Sequence, residues 1–567
     1  MASRQRRSST QHAAIETPSG VQTAPPVTLP PGGTATALAG TAAAVPTRHL
    51  EIETKLEIGP EASLPELAGR RSLTSLGLKA VADPVVHELD AVYFDTPELD
   101  LLRAKLTLRH RTGGDDAGWH LKLPAVAGAR TEVGLPLESG EHDPLAAQVP
   151  AALADLVLGT ARGRSLRPVA RIRNRRTVRR LLDPSGTPMV EVADDQVTST
   201  RLVGSNTAES GFAESPPTRW RELEVEVLAG DRDQLAAVVA LLQAAGAQRA
   251  SSASKLARAM ADATPADPAS APPRKPKAAG AAVIVALFRL RGTLIGTDRA
   301  LREGHGNALH DARACARRIR SVLAVFSSLF AAGATRHLRG ELQHFGAVLS
   351  SARDLEVLHR RLTGQLNDEP SEYAGRAGRR IDEEMARLVP AALAEVSELI
   401  RSERYLAMLR ELDSFLSAPP LSRRAAKQAS SELSTLLAAS WRQLGELVDQ
   451  ALADPLDNPV FHEVRKGAKA LRYAAEAASA TLGENTVVFA AAIEEIQEVL
   501  GEHQDALTSA AWLADLALQP ETDGVSGFVF GRLHAFEQAV AAGTLDDFSD
   551  AWDRVEDGEL LEAAFGR

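Results

Sequence analysis

An internal repeat of a basic helical motif is the feature that most constrains the fold of this chain. Two segments carry cationic side chains at identical offsets of 3, 7 and 10 residues from a histidine. Their members are His310, Arg313, Arg317 and Arg320 in the first copy, and His462, Arg465, Lys469 and Arg472 in the second. An aspartate follows each copy, with Asp354 44 residues after His310 and Asp505 43 residues after His462. This repeat, of about 152 residues, predicts two similar halves in a pseudo-two-fold helical bundle.

The cations of each copy share one narrow stripe of a helix, since successive residues are rotated by about 100°. Like charges three and four residues apart destabilise a helix by roughly 0.2–0.5 kcal/mol per pair. A solvated helix face would also explain a single copy, and so would a histidine metal site, although neighbouring cations disfavour a metal ion. Because the unfavourable arrangement occurs twice, it favours a polyanionic ligand that converts repulsion into charge-assisted hydrogen bonds.

Composition divides the chain into four parts. Residues 1–47 are rich in Ala, Thr, Pro and Ser, which predicts a disordered tail. Residues 48–260 contain short alternating segments such as HLEIETKLEI and WRELEVEVL, typical of a β-rich domain. Residues 261–280 are rich in Pro and Ala and predict a flexible linker, whereas residues 281–567 carry long helical patterns. The predicted fold class is therefore α+β multidomain, with an all-α domain following the β domain.

Charged side chains alternate along the predicted strands, and the strands sort by sign. One acidic strand places Glu51 and Glu53 on the same face. A second acidic strand places Glu222, Glu224 and Glu226 on one face. Several basic strands supply cationic faces, with members Arg109, Arg111, His120, Lys122 and the run from Arg171 to Arg176. A solvated sheet face would also alternate in this way. However, clustered carboxylates repel unless a cation lies among them, which favours Mg²⁺ or Mn²⁺.

Bulk composition excludes several classes of partner. The formal net charge of −10 and an aromatic content of 4% argue against general nucleic-acid binding. No apolar run approaches the roughly 18 residues that cross a bilayer, so no membrane partner is expected. The single cysteine, Cys315, fits a reducing cytoplasm, and its position predicts a small packing residue.

The order of the motifs in the β-rich part resembles the CYTH family, also called triphosphate tunnel metalloenzymes. The matching segments are Glu51-x-Glu53-x-Lys55, YFDTPELDLLRAKLTLRHR, PVARIRNRRTV, ELEVEV and SASKLARAM. The resemblance covers residues 48–260 and implies an antiparallel β-barrel tunnel with a polar interior, flanked by helices. Family members bind a triphosphate group with a divalent metal. They include inorganic, thiamine and RNA triphosphatases and one class of adenylate cyclases.

This resemblance implies roles for individual side chains. Glu51, Glu53 and Lys55 would be catalytic. The metal ligands for Mg²⁺ or Mn²⁺ would be Glu51, Glu53, Glu222, Glu224 and Glu226. The triphosphate would contact Lys55, Arg109, Arg111, Lys122, Arg173, Arg175 and Lys255. A one-residue bulge would replace Arg175 by Arg176 at the tunnel face, and the sequence leaves this choice open.

The repeated helical part resembles the CHAD domain, a family named for conserved histidines in an α-helical domain. The matching text includes LHDARACARRIRSVLAVF, LSSARDLEVL, FHEVRKGAKALRYAAEA and IQEVLGEHQDAL. The resemblance implies two helical-bundle halves whose basic residues face a shared cleft for inorganic polyphosphate. The implied ligands are His310, Arg313, Arg317, Arg318, Arg320, Arg353, His462, Arg465, Lys466, Lys469, Arg472 and His503. Asp354 and Asp505 would orient neighbouring arginines.

Together the two resemblances favour a metal-dependent inorganic triphosphatase whose helical domain binds polyphosphate. A non-enzymatic protein of polyphosphate granules is the principal alternative, and adenylate cyclase or thiamine triphosphatase activity is a weaker one. The expected location is the cytoplasm, at polyphosphate granules. In either case the flexible linker would tether two independent sites and raise the local concentration of a shared polymer.

Overall fold

The computed structural model describes residues 46–124, 128–137, 145–204, 212–263, 276–453, 459–556 and 559–565. Within these ranges an antiparallel sheet domain precedes an all-helical domain, which confirms the predicted fold class. The predicted tail lies outside the described residues except for its last two, and β1 begins at Thr47. Most of the predicted linker is also outside them. Its final residues, Ala279 and Gly280, are buried in the first helix of the second domain.

The strands of the first domain are numbered in chain order. They are β1 (Thr47–Glu51), β2 (Glu53–Glu57), β3 (Ala80–Val81), β4 (Val85–Asp95), β5 (Thr107–Thr112), β6 (Gly118–Lys122), β7 (Arg130–Pro136), β8 (Arg167–Leu182), β9 (Pro188–Val203), β10 (Ala213–Glu214), β11 (Thr218–Val227) and β12 (Gln248–Arg249). Their pairing order is β1-β7-β6-β5-β4-β8-β9-β11-β2-β12, with β3 on β8 and β10 on β9.

The sheet closes on itself because of a break in the first predicted strand. The alternation in HLEIETKLEI predicts one strand, but Ile52 interrupts it and joins β1 to β2. β1 pairs with β7 and β2 pairs with β11, so a single residue links β1, at one end of the pairing order, to β2, next to the other end. The predicted barrel is confirmed, and Glu51 and Glu53 flank its point of closure.

Apolar side chains lie outside the barrel, beneath short helices. These are α1 (Arg71–Thr74), α2 (Asp100–Arg103), α3 (Ala151–Ala161), α4 (Arg232–Ala244) and α5 (Lys255–Ala259). Leu56, Leu223 and Val225 pack with the apolar face of α4, and Trp119 packs with α2 and α3. Since side chains alternate across a strand, burying these residues outside directs their charged neighbours into the barrel. α5 covers one end, where Leu256 joins an apolar cluster on β4 and β8.

The second domain is built from helices in a duplicated order. They are α6 (Ala279–Arg302), α7 (Ala308–Val325), α8 (Arg336–Leu366), α9 (Ser371–Arg401), α10 (Glu403–Ser417), α11 (Ala429–Ala453), α12 (Val460–Leu482), α13 (Glu484–Ala517), α14 (Gly524–Glu556) and α15 (Glu559–Phe565). Helices α6 to α9 match α11 to α14 in order and in approximate length. Equivalent helices contact each other across the centre, α7 with α12 and α9 with α14. This arrangement confirms the predicted pair of helical halves.

One described helix, α6, is long and apolar enough to cross a membrane by length and composition. In this structure it packs within the bundle against α7, α11 and α12. Its inward face also carries Asp298, which is 1% exposed and accepts a hydrogen bond from Tyr405 at 2.8 Å.

The two domains contact each other directly through α3, which the sequence does not predict. Asp155 on α3 accepts hydrogen bonds from Arg302 at 3.3 Å and from Arg401 at 2.7 Å. Gly159, one turn further on, lies so close to Asp298 of α6 that an added Cβ would stand 2.1 Å from its carboxylate. The two domains therefore contact each other in addition to being connected through the predicted linker.

We predict that Gly159→Ala destabilises the protein by about 1–3 kcal/mol, as overpacking a tight contact does. The Asp298 carboxylate cannot withdraw, because Tyr405 and Arg302 both hold it. Thermal unfolding of the full chain measures the effect. Gly292→Ala on α6 is the matched control, since an added Cβ there meets no heavy atom within 4 Å and should raise stability. Equal midpoints for the two variants would contradict this interface.

Candidate functional site

The interior of the barrel is a charged cavity that brings most of the predicted tunnel residues together. Its charged lining residues are Glu51, Glu53, Lys55, Arg109, Arg111, Asp116, Lys122, Arg130, Glu132, Arg176, Glu191, Glu224, Glu226 and Lys255. Cationic and anionic side chains are equally numerous in this list. The charges of these side chains therefore cancel. A highly charged anion that enters the cavity needs additional positive charge, such as a metal ion, to balance it.

Glu224 is surrounded by three cations of the cavity. It forms ion pairs with Lys55 and Arg176, and it accepts a hydrogen bond from Lys255 at 2.7 Å. Burial opposes ionisation, but the charges of Lys255, Lys55 and Arg176 hold the pKa of Glu224 well below its usual range. Glu224 thus holds the side chains of Lys55, Arg176 and Lys255 close together at the cavity wall.

Lys255, from the first turn of α5, fills the space between three carboxylates. Its Nζ lies 2.8 Å from Asp195, 2.8 Å from Glu222 and 2.7 Å from Glu224. The ligand oxygens of these acids lie within 4.8 Å of one another and could hold a metal ion. In this structure the lysine ammonium already supplies the positive charge there, so a metal at this cluster would compete with it.

Glu51 and Glu226 are the carboxylates with the least compensation. Burial raises the pKa of Glu51 to about 7, against the attraction of Lys122. Burial, followed by the charges of Glu51 and Glu53, raises the pKa of Glu226 to about 8. Glu226 forms no ion pair among the described residues. Glu51, Glu53 and Glu226 offer hard oxygen ligands, which suit Mg²⁺ or Mn²⁺, although Lys122 pairs with Glu51 and Lys55 pairs with Glu53 in this structure.

The opposite wall of the cavity is basic. Lys122 donates to Glu51 at 2.6 Å and lies 3.0 Å from Glu132. Arg109 contacts Glu132 more distantly, at 4.0 Å, and its Nε is buried without a hydrogen-bond partner among the described residues. Burial, followed by the charge of Arg109, lowers the pKa of Arg111 to about 10. Buried guanidinium groups with unused donors are suited to bind anionic oxygens.

Two predicted triphosphate ligands lie on the outside of the barrel. Arg173 contacts Asp90 at 3.5 Å and Arg175 contacts Glu88 at 3.3 Å, and both side chains are more than half exposed. The prediction that they face the tunnel is wrong. Ile172 and Asn174 point inward, so the alternation of β8 directs Arg176 inward instead. Of the two alternatives that the sequence left open, the structure has Arg176 in the cavity.

Several cavity residues were not identified from the sequence. They are Tyr93, Asp116, Arg130, Glu132, Glu191 and Asp195. The strand alternation in the segment MVEVADD could have identified two of them, Glu191 and Asp195. Val190 and Val192 are buried outside the barrel, so Glu191 and Asp195 share the inward parity of β9. Asp195 is fully buried and holds Arg176 at 2.7 Å.

In the helical domain the centres of the two basic stripes meet where α7 contacts α12. Burial and the charges of Arg313 and Arg465 lower the pKa of Arg317. Burial, with the charges of Arg465, Arg317 and Arg313, lowers the pKa of Lys469 to about 7. The Nε atoms of Arg317 and Arg465 are buried without a hydrogen-bond partner among the described residues. We call Arg313, Arg317, Arg465 and Lys469 the central cluster.

Acids and histidines border the central cluster. Asp354 accepts a hydrogen bond from Arg313 at 2.8 Å, which matches the expected orienting role. His310 lies near Arg353, and burial with that charge lowers the pKa of the imidazole. His462 contacts Gln504 at 3.2 Å. Both histidines are thus at the edge of the cationic centre rather than in a metal site.

The other predicted ligands are engaged elsewhere or lie apart. Arg318 and Arg472 both lie over the ring of Tyr473, and both contact Glu476. Lys466 is half exposed and contacts Glu463 at 2.8 Å. His503 contacts the carbonyl oxygen of Ala541 at 2.9 Å and packs on Phe461, so its nearest role is to fix α13 against α14. Arg320 forms no ion pair among the described residues.

Comparison with known proteins bears on both domains. The CYTH domain model matches residues 49–260 and the CHAD domain model matches residues 285–514. An uncharacterized protein of Mycobacterium tuberculosis is 33% identical over 511 residues, which cover 88% of this chain and 94% of the relative. The relative therefore shares the whole two-domain arrangement.

Solved structures align with one domain at a time. PptA from Streptomyces chartreusis is 24% identical, with a TM-score of 0.43, over 49% of this chain and 99% of that chain. The CHAD domain of the plant Ricinus communis is 23% identical, with a TM-score of 0.40, over 48% of this chain and 91% of that chain. A protein of Pyrococcus horikoshii is 15% identical, with a TM-score of 0.19, over 35% of this chain and 92% of that chain.

The matched ranges coincide with the two bodies seen in the structure. The charged barrel occupies the first range, and the duplicated bundle with its central cluster occupies the second. The chain belongs to the family of proteins in which a CYTH domain is followed by a CHAD domain.

Proposed function

We propose that this protein is a metal-dependent triphosphatase that hydrolyses tripolyphosphate or short polyphosphate in its barrel and binds long polyphosphate on its helical domain. The observation that carries the enzymatic part is the pairing of a basic wall with under-compensated carboxylates in one cavity. A clamp for anions alone gains nothing from burying Glu51 and Glu226. We place the protein in the cytoplasm, at polyphosphate granules.

The cations of the cavity are held by carboxylates, so phosphate oxygens must replace these partners. Lys55 is paired with Glu53 and Glu224, and Lys122 is paired with Glu51 and Glu132. A divalent ion held by Glu51, Glu53 and Glu226 would supply Lewis-acid polarisation of a phosphate and activation of a water molecule. Neutralising the same carboxylates leaves Lys55 and Lys122 free to donate to phosphate oxygens.

The remaining residues position the substrate and stabilise charge during transfer of the phosphoryl group. Arg109 and Arg111 of β5 approach the triphosphate from the basic wall. Arg176 approaches it from β8, with its guanidinium oriented by Asp195 at 2.7 Å. Catalysis of phosphoryl transfer depends mainly on such positioning and on charge stabilisation. Lys255 would complete the set from α5, which covers that end of the barrel.

The central cluster supports polyphosphate binding on the helical domain. Four cations from two helices meet there, and two of them have buried Nε atoms with unused donors. Their mutual repulsion is relieved by a polyanion that crosses both halves. Because α7 and α12 contribute equally, one chain would bind in one shared cleft rather than at two separate sites.

A non-enzymatic granule protein is the second candidate, and it shares the same helical cleft. The balanced charge of the cavity favours it in one respect, because Lys55, Lys122, Arg176 and Lys255 already have carboxylate partners. Adenylate cyclase and thiamine triphosphatase activities would use the same barrel side chains. Phosphate release from tripolyphosphate, ATP, thiamine triphosphate and long polyphosphate, each with Mg²⁺ or Mn²⁺, distinguishes these functions.

Arg176→Gln is predicted to lower kcat/KM for tripolyphosphate by about tenfold or more, the effect of one lost charged hydrogen bond. Arg175→Gln is the matched control, since its side chain lies outside the barrel beside Glu88. A phosphate-release assay compares the two, and thermal unfolding verifies that both are folded. Equal losses would contradict the assignment of Arg176. No phosphate release by the wild-type protein with either metal would exclude the enzyme and leave the binding protein.

Metal binding is predicted to weaken as pH falls. The metal binds ionised carboxylates, and the raised pKa values of Glu226, about 8, and Glu51, about 7, protonate them on acidification. Calorimetric titration with Mn²⁺ should give an affinity at least about tenfold weaker at pH 6 than at pH 9. Glu226→Gln should weaken Mn²⁺ binding at pH 9 and reduce the pH dependence to the part that Glu51 causes near pH 7. The control Glu57→Gln, on the same strand as Glu53, should change neither, and wild-type affinity of Glu226→Gln at pH 9 would refute the assignment.

Polyphosphate binding is predicted to strengthen between pH 9 and pH 7, because Lys469 gains its proton as pH falls through about 7. His310 titrates below this range, since its pKa is lowered. Lys469→Arg keeps the charge at all these pH values and should flatten the rise seen with long-chain polyphosphate. Lys466→Arg, three residues away and half exposed, should leave it unchanged. A flat wild-type profile would argue against Lys469 as a ligand.

A further inference from the structure

The two halves of the helical domain differ at one matched position, where the basic stripes end. Arg472 is the last cation of the second stripe, and its guanidinium is fully engaged. It donates to Glu476 at 2.8 Å and to Gln497 at 3.2 Å, and it pairs with Glu494 at 2.6 Å. Its side chain is 11% exposed. Two carboxylates therefore cancel the positive charge at this end of the cleft.

Arg320 is the equivalent residue in the first half, and none of these partners is conserved between the halves. Helices α7 and α12 align with an offset of 152 residues, and α8 and α13 align with an offset of 151. The buried pairs Leu342 with Ile493 and Leu349 with Leu500 support the second offset. The counterparts of Glu476, Glu494 and Gln497 are Ala324, Gln343 and Gly346. Arg320 consequently forms no ion pair among the described residues.

The first half also has an additional cation beyond the motif. Arg339 lies near the start of α8, which packs antiparallel to α7, and its counterpart in α13 is Ala490. The Nε of Arg339 is buried without a hydrogen-bond partner among the described residues. Arg339 lies close enough to Arg320 for its charge, after burial, to lower the pKa of that guanidinium. A continuous line of unpaired cations thus runs from the central cluster through Arg320 to Arg339.

We propose that the helical domain binds polyphosphate asymmetrically, so that the chain extends from the central cluster over Arg320 and Arg339 of the first half and does not extend past Arg472 of the second half. This inference rests on the proposed polyphosphate binding, and it adds Arg339 as a ligand. Each phosphate unit of a polyphosphate chain is anionic, so a long chain gains affinity from every further unpaired cation in its path. Beside Arg472, Glu476 and Glu494 repel the chain and compete for the guanidinium.

The inference is tested on the full chain by calorimetric titration with tripolyphosphate and with long-chain polyphosphate at several salt concentrations. Arg339→Gln should raise the Kd for the long chain by about threefold to tenfold. It should lower the slope of log Kd against log salt by about one, as loss of one contact to a polyanion does. Tripolyphosphate, too short to span the line of cations, should bind as to wild type. Arg379→Gln on α9, an exposed arginine without an ion pair among the described residues, is the matched control.

A second variant tests whether the carboxylates around Arg472 exclude the polyphosphate chain, because removing one of them should increase binding. Glu494→Gln removes one carboxylate from Arg472 and should lower the Kd for long chains and increase the number of phosphate units covered per protein. Glu498→Gln, an exposed carboxylate on the same helix, controls for net charge. The proposed asymmetry is overturned if Arg339→Gln matches Arg379→Gln, if it weakens tripolyphosphate and long chains equally, or if Glu494→Gln matches Glu498→Gln. Failure of the wild-type protein to bind long chains would instead refute the proposed function.

Discussion

Both domains hold side chains of like charge close together in buried places where water screens them little: carboxylates in the barrel and cations in the bundle. In the barrel Lys255 neutralises the cluster of Asp195, Glu222 and Glu224, whereas Glu226 near Glu51 and Glu53 has no ion pair among the described residues. In the bundle the reverse applies, because Arg317, Arg465 and Lys469 face one another with few acids nearby. Neutralised clusters stabilise the fold, whereas the under-compensated ones retain the capacity to bind an ion of opposite sign.

Sequence patterns predicted the features that follow from periodicity. The offsets of the basic motif placed Arg317 and Lys469 at equivalent positions on two helices, and the structure brings these helices together. Strand alternation placed Glu224 and Glu226 on one face with Arg109 and Arg111 nearby, and all four line the cavity. In both cases the helical or strand repeat alone determines which side chains share a face.

Periodicity in the sequence could not predict features that depend on a local irregularity or on a long-range contact. Arg175 and Arg176 are adjacent and chemically identical, so composition cannot decide which of them faces inward. The interruption at Ile52 reflects the pairing of β1 and β2 with different strands, and that pairing is a property of the closed sheet. The contacts of His503 with Ala541 and Thr544 of α14 arise only in the folded bundle, so its motif could not predict them.

The contact between α3 and α6 changes how the two sites relate to each other. Arg162, at the end of α3, links Asp100 of α2 to Asp413 of α10, which lies 2.5 Å away and also accepts a hydrogen bond from Arg291 of α6. α6 in turn packs against α7 and α12, the two helices that carry the central cluster. In the proposed function, a polyphosphate chain on the bundle would therefore be bound by a domain that contacts the barrel domain directly. Such a contact would restrict the orientations in which the chain could reach the tunnel, which a flexible tether alone would not do.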